Sequence, residues 1–278
     1  MTGAGAASGE SDPHRDDAHH THDAYDPDAR APGHLSRDAT PPALRPRDDG
    51  MRNVGVVIVA AGAGSRAGSA ELKQFRWIAG KPMLLHSVQT FQLRQDVAMV
   101  VCVIPKSFAG DPPPWLFQCD VDRLLLAVGG RDRGESVMNG LEDLPDDVEY
   151  VLVHDAARPL ATSETIERVV REVRRGHGAV AAIPVVDTLK EVDDDGRIVR
   201  TVDRRALWRA QTPQGFPRDM IERAYVDART ARITATDDAA LCERLGLPVV
   251  VVRGSERAMK ITDESDFERA EALYGLAE

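Results

Sequence analysis

Cysteine is scarce in this chain. Cys102, Cys119 and Cys242 are widely spaced, and no C-x-x-C pair exists. That excludes a zinc site built on paired cysteines and a disulfide framework, and it fits a reducing compartment, which we read as the cytoplasm. Long apolar runs are also missing. None approaches the roughly 20 residues that cross a bilayer, and the amino terminus lacks the apolar stretch of a signal peptide. No membrane partner is expected. Net positive charge is absent as well: the formal charge is -10, which argues against a nucleic-acid partner with its broad basic surface. A small anionic ligand is still compatible, because a few local cations and backbone N–H groups suffice to hold one.

Residues 1–53 lack valine, isoleucine, phenylalanine and tryptophan altogether, and hold ten acidic residues, six basic ones and five histidines. Such a stretch cannot bury enough apolar surface to offset its ordering entropy, so it reads as a disordered tail. Its histidine-rich run "HRDDAHHTHDAYD" reads as solvated rather than as a metal site. Met51, just before the first strand pattern, is taken as an alternative start.

From residue 54 onward the pattern changes, and residues 54–278 read as one domain. Apolar runs suited to strands buried on both faces recur: "NVGVVIVA", "VAMVVCVI", "RLLLAV", "YVLVH", "GAVAAIPV" and "PVVVV". Helical patterns lie between them. "PMLLHSVQTFQLR" carries Pro82 at its first turn. In "TSETIERVVREVRRG", Ile166, Val169, Val170 and Val173 share a face, Thr162 or Ser163 caps the start and Gly176 ends it. "ESDFERAEALYGL" reads as a closing helix. The alternation implies an α/β fold with a largely parallel sheet and helices on both faces. Residues 187–208 break it: they read as a charged hairpin turning at Asp195-Gly196. An isolated two-stranded ribbon is marginal in water, so a second subunit is its expected partner.

"VVIVAAGAGSRAGSAELKQF" (56–75) poses the functional question. Gly62, Gly64 and Ala67 fit a G-x-G-x-x-A dinucleotide turn, a weak pattern. That fold expects a ribose-binding carboxylate at the end of the second strand, and here that strand ends "VIPKS". A phosphate loop explains more. The small residues from Ala60 to Gly64 admit phosphate oxygens to the backbone, Arg66 offers a bidentate fork and Lys73 a compact charge. The Walker pattern is absent. In "VLVHDAARP", a buried strand delivers Asp155 at its carboxyl end, where it can hold Mg²⁺ against phosphates. His154 beside it reads as a hydrogen-bonded structural residue, Trp208 as packing, and "QTPQGF" as turn chemistry around Pro213 and Gly215.

Taken in order, "AAGAGSR", "KQF", "VGG…ES", "HDAARP", "DTLK", "TVDR…LW…QTPQGF", "TDDAA" and "MKIT" resemble the 2-C-methyl-D-erythritol 4-phosphate cytidylyltransferases of the non-mevalonate isoprenoid pathway. The resemblance runs from about residue 54 to 278. The related ribitol-5-phosphate enzymes share most of these motifs but resemble "HDSVRP" where this chain has "HDAARP". The resemblance implies a three-layer, Rossmann-like nucleotidyltransferase fold with a protruding β-ribbon arm that forms a homodimer. It implies that Ala60, Ala61, Gly62 and Gly64 wrap the co-substrate CTP, and that Gly129, Gly130 and Ser136 read cytosine. Arg66 and Lys73 would stabilise the transition state, with Asp155 near Mg²⁺. Arg158, Thr188, Arg204, Thr236 and Lys260 would serve the small-molecule acceptor. A polyol-phosphate transferase and a non-catalytic nucleotide-binding regulator are the alternatives. Three departures stand out: Leu72 replaces the usual proline before the lysine, Arg131 follows the paired glycines, and Arg257-Ala258-Met259 replaces the usual Asp-Asn-Ile.

Overall fold

A computed structural model describes residues 52–62 and 72–276. The expected tail lies outside these residues except for positions 52 and 53, and so do Gly64 and Arg66. The elements, in chain order, are β1 (Val54–Val59), β2 (Trp77–Ile78), β3 (Lys81–Pro82), α1 (Met83–Gln92), β4 (Val97–Ile104), β5 (Leu124–Val128), α2 (Arg133–Glu142), β6 (Tyr150–Asp155), α3 (Ser163–Val173), β7 (Gly178–Pro184), β8 (Leu189–Val192), β9 (Ile198–Val202), β10 (Trp208–Pro217), α4 (Arg218–Ala231), α5 (Asp238–Arg244), β11 (Val249–Arg253) and α6 (Glu264–Gly275).

Seven strands form the central sheet in the order β11-β7-β10-β6-β1-β4-β5. Every pairing is parallel except the two made by β10. Strand alternation sorts β1 between two cores. Val54, Val56 and Ile58 pack with Leu84, Val88 and Phe91 of α1 and Ile166, Val169 and Val173 of α3. Val57 faces the other way, toward Val137 and Leu141 of α2, Ile221 and Ala224 of α4, and Leu241 of α5. This is the expected three-layer α/β arrangement. Each such side chain contributes roughly 1.5–3 kcal/mol of burial. A third, smaller core seats α6 on Ile78 and Met83 through Phe267 and Ala270.

Helix ends follow the sequence. Thr162 caps α3 by accepting from the Thr165 amide, and Gly176 takes a left-handed φ of 87° beyond its end. Asp132 caps α2 and Asp237 caps α5.

Three expectations need correction. The hairpin does not run to Trp208: its strands are β8 and β9, and Trp208 opens β10, where it pairs with Pro184 in the main sheet. Trp208 is 42% exposed rather than packed. "QTPQGF" is no turn either. It is the buried second half of β10, with a cis bond between Thr212 and Pro213. Pro213 and Gly215 suggest a turn, yet both lie within a strand whose polar side chains bond to other parts of the chain.

Candidate active site

The carboxyl ends of β1 and β6 and the loop after β5 meet at a cleft of about 440 Å³. Open α/β sheets bind ligands at this edge. Ala60, Ala61 and Gly62 leave β1 along one wall. Gln74, itself buried, ties that loop down: its Nε2 donates to the carbonyls of Ala60 at 2.6 Å and Gly62 at 3.1 Å. The paired glycines close on the same loop. A Cβ on Gly129 would lie 2.2 Å from the Ala61 Cβ and 3.3 Å from the Ile104 carbonyl oxygen, so only glycine fits. The Ser136 hydroxyl accepts from the Gly130 amide at 3.1 Å and donates to the Asp132 carbonyl at 2.8 Å.

Asp155 ends β6 at the cleft floor. Its Oδ2 lies 2.7 Å from Lys260 Nζ, and its Oδ1 lies 3.4 Å from the Arg133 guanidinium. Burial alone would push this carboxyl up; Arg133 and then Lys260 outweigh it and hold it down at about 2. Arg133 is fixed from behind. Its Nη1 and Nη2 meet the two oxygens of Asp238 at 2.9 and 2.8 Å. The Asp238 side chain has no exposed surface and also accepts the Tyr225 hydroxyl at 2.5 Å. Burial and then the Asp238 charge push the Tyr225 phenol up, so it remains a donor.

His154, next to Asp155, is buried and neutral, and burial pushes its imidazole down to about 4. A chain of bonds fixes its tautomer. The Asp155 amide donates to Thr212 Oγ1 at 3.0 Å. The Thr212 hydroxyl in turn donates to His154 Nδ1 at 3.1 Å, and His154 Nε2–H donates to the Arg158 carbonyl at 3.1 Å. The histidine is a structural link, as the sequence suggested.

Lys73 and Lys260 both reach the cleft, and residues 254–261 connect them. Lys73 Nζ donates to the Ile261 carbonyl at 2.7 Å, one residue past Lys260. Leu72, in place of proline, has φ −62°, within the range proline would impose. Arg158 is spent largely on the backbone: Nη1 donates to the Ala258 carbonyl at 2.8 Å and Nη2 to the Ala210 carbonyl at 3.3 Å. Arg131 is 90% exposed and paired with Glu135. Arg257 turns away to the Leu273 carbonyl at the end of α6.

The remaining expected residues lie apart. Thr188 and Arg204 are exposed at the root of the ribbon, with the Arg204 guanidinium on the Val186 carbonyl. Thr236 is exposed on the loop between α4 and α5. That loop borders a second cavity of about 620 Å³, between α2 and α4, which shares Arg131 and Arg133 with the cleft. Sequence reasoning missed Gln74, Arg133 and Asp238. Gln74 stands inside the quoted "KQF" and Asp238 inside "TDDAA", but Arg133 and Asp238 meet across 105 positions of chain, and no local spacing reveals that.

A metal would find Asp155 on the floor of this cleft and Asp132, whose side chain already caps α2, in its wall. Among the described residues no group of three His, Cys, Asp or Glu side chains converges. That suits Mg²⁺, which commonly takes one or two carboxylates and fills its shell with water and substrate phosphates. Asp155 is ionised, and Lys260, about half exposed, can yield its place on it.

Residues 54–275 match the family model described as 2-C-methyl-D-erythritol 4-phosphate cytidylyltransferase. A protein of that name from Frankia casuarinae is 42% identical over 221 residues, covering 79% of this chain and 80% of its own length. One from Desulforamulus reducens is 39% identical, covering 80% of this chain and 96% of its own. Among solved structures, the 2-C-methyl-D-erythritol 4-phosphate cytidylyltransferase of Thermus thermophilus has a TM-score of 0.68 at 34% identity, covering 80% of this chain and 98% of its own. The 4-diphosphocytidyl-2C-methyl-D-erythritol synthase of Anaerococcus prevotii has a TM-score of 0.71 at 28% identity, covering 82% and 97%.

Proposed function

The chain belongs to the 2-C-methyl-D-erythritol 4-phosphate cytidylyltransferase family, and from that premise we propose that it transfers CMP from CTP to 2-C-methyl-D-erythritol 4-phosphate. The products are 4-diphosphocytidyl-2-C-methyl-D-erythritol and pyrophosphate, in isoprenoid precursor synthesis. One observation carries the reading. A small-residue loop, Gly130 with its serine, two lysines and a strand-end aspartate share one cleft, and Gly129 packs against the loop.

The chemistry needs positioning and charge rather than a covalent intermediate. An oxygen of the acceptor's phosphate attacks the α-phosphorus of CTP in line. A new P–O bond forms, and the bond to the leaving pyrophosphate breaks. Both reactants are anions, so the cost lies in bringing them together and in the charge that builds on the α-phosphate. Lys73 is the described residue we assign to that charge, with Arg66 as its expected companion. Ala60, Ala61, Gly62 and Gly64 take the triphosphate side, and Gly129, Gly130 and Ser136 the base. Asp155 holds Mg²⁺, which when bound supplies charge neutralisation. Lys260, Arg158 and Thr236 serve the acceptor side, as do Thr188 and Arg204 from a partner's ribbon.

We assign the ribbon to a homodimer. What supports this is its exposed apolar surface: Ile198 is 64% and Val199 60% exposed. Among the described residues no helix is long and apolar enough to cross a membrane. The free cysteines and the water-soluble reactants fit a cytoplasmic setting.

The direct test is pyrophosphate release from CTP and Mg²⁺ with 2-C-methyl-D-erythritol 4-phosphate or ribitol 5-phosphate as acceptor. Release with the first acceptor alone is expected. Release with the second alone would reassign the substrate, and CTP binding without release on either would reduce the protein to a nucleotide-binding regulator.

A further inference from the structure

The β10 run Gln211-Thr212-Pro213-Gln214 has no assigned part in the transfer, yet it carries three polar side chains that are almost completely buried. Gln211, Thr212 and Gln214 are 4%, 4% and 1% exposed. In a regular strand, neighbouring residues face opposite sides. Here the pairing of β10 with β7 loses register between Ala210 and Gln214, and residues 211–216 are buried in succession. Each polar side chain bonds to a different segment beside or behind the cleft.

Gln211 reads the backbone of residues 254–261. Its Nε2 donates to the Ser255 carbonyl at 2.9 Å and, more weakly, to the Ala258 carbonyl at 3.4 Å. Its Oε1 accepts from the Ser255 amide at 3.2 Å. The fit is close: a Cβ on Gly254 would sit 2.3 Å from that oxygen and 3.2 Å from both the Ala182 nitrogen and carbonyl oxygen. This strap delivers Lys260 to Asp155 and the Ile261 carbonyl to Lys73. Thr212 accepts from the Asp155 amide. Gln214 donates to Asp237 at 2.8 Å and accepts from the Ala239 amide at 3.0 Å. It thereby brackets Asp238, which holds Arg133. A buried primary amide has no advantage over an apolar side chain except the geometry its hydrogen bonds impose.

We propose that Gln211 is a positioning residue for cytidylyl transfer, setting the strap of residues 254–261 so that Lys260 stands at the acceptor side of the cleft, while Thr212 and Gln214 anchor the adjoining walls. The inference rests on the function proposed above. It separates Gln211 from the groups that touch substrate: its effect passes through Lys260 and should vanish when Lys260 is gone.

The test is a double-mutant cycle on the full chain. Gln211→Met keeps the volume and removes the hydrogen bonds. It is expected to lower kcat/KM for the acceptor about 10- to 100-fold, the scale seen when a residue that orients a metal ligand is lost. The KM for CTP should move by less than about 2-fold, since no bond of Gln211 reaches Ala60, Ala61, Gly62, Gly130 or Ser136. In a Lys260→Met background the same change should add less than about 2-fold. Equal losses in both backgrounds, or a parallel rise in the KM for CTP, would overturn the proposal. Hydrogen exchange supplies a readout independent of turnover: the Ser255 and Ile261 amides should lose protection in Gln211→Met, and unchanged protection would also overturn it. Should Gln211→Met fail to fold, Gly254→Ala presses on the same contact from the strap, and the same split in kinetic constants is expected. A wrong functional reading shows itself separately, as a wild-type protein that releases no pyrophosphate while the exchange result stands.

Discussion

Asp238 and Glu191 are both carboxylates paired with arginine, in opposite surroundings. Asp238 has no exposed side-chain surface, takes both Nη atoms of Arg133 and accepts a buried tyrosine hydroxyl. Glu191 pairs with Arg200 across the ribbon at 2.6 Å, with both side chains largely in solvent. Removing one partner of a buried pair strands a charge and typically costs 3–5 kcal/mol, whereas exposed pairs contribute roughly 0–1 kcal/mol. Apolar side chains show the reverse. Around the cleft they are buried in two continuous cores, while on the ribbon Val186, Val192, Ile198 and Val199 face solvent. The buried framework of the cleft closes within one chain. The ribbon leaves its apolar side chains in solvent, and it is this surface that we assign to a dimer.

The largest effect belongs to the cleft. Lys73→Ala should leave the fold intact and lower turnover by roughly 10²–10³-fold, the usual loss of one charge-stabilising donor. Single-turnover kinetics beside a thermal melt would check both parts, and near-wild-type turnover would remove Lys73 from the mechanism.

Next comes the buried chain through His154. Its imidazole is held at about 4 by burial, against about 6.5 when unfolded. Between these values the unfolded chain takes up a proton that the folded one refuses, so stability falls as pH drops through that window and is complete above it. The contribution is about 3 kcal/mol. Urea midpoints at pH 7 and pH 4.5 should drop less in His154→Gln than in wild type. Equal drops would place the acid sensitivity in the carboxylates.

The ribbon gives the smallest change within a single chain and the clearest change between chains. Glu191→Gln should shift stability by no more than about 1 kcal/mol. Ile198→Glu with Val199→Glu should halve the sedimentation mass with little change in melting of the sheet. A wild-type protein already monomeric at micromolar concentration would end the dimer assignment.

What could be read in advance follows the same division. Strands buried on both faces announce themselves as apolar runs, and five of the central sheet's strands were legible as runs such as "VAMVVCVI" and "YVLVH", with β11 also marked by "PVVVV". Strand β10 was not, because Gln211, Thr212 and Gln214 are buried against partners far away in sequence. The strand-end position of Asp155 and the lysine of "KQF" could be found from local pattern. Arg133 could not, since its meaning depends on Asp238. Leu72 departs from the usual proline, yet its φ is one that proline itself would take.

One contact has a consequence for how the protein is made. Lys73 reaches the Ile261 carbonyl, and three residues along Arg76 grips Glu264 through two bonds of 2.7 and 2.8 Å while stacking on Phe267. Each of these hydrogen bonds spans 188 positions. During synthesis the chain emerges from its amino terminus, and domains fold as their segments become available. The nucleotide loop and most of the sheet exist long before the segment that latches them. The cleft walls from β1 and β6 are thus synthesised first, but the wall that carries Lys260 arrives only with the segment between the last strand and the last helix. Competence is acquired at the end of translation, so prematurely terminated chains lack a finished site for consuming nucleotide.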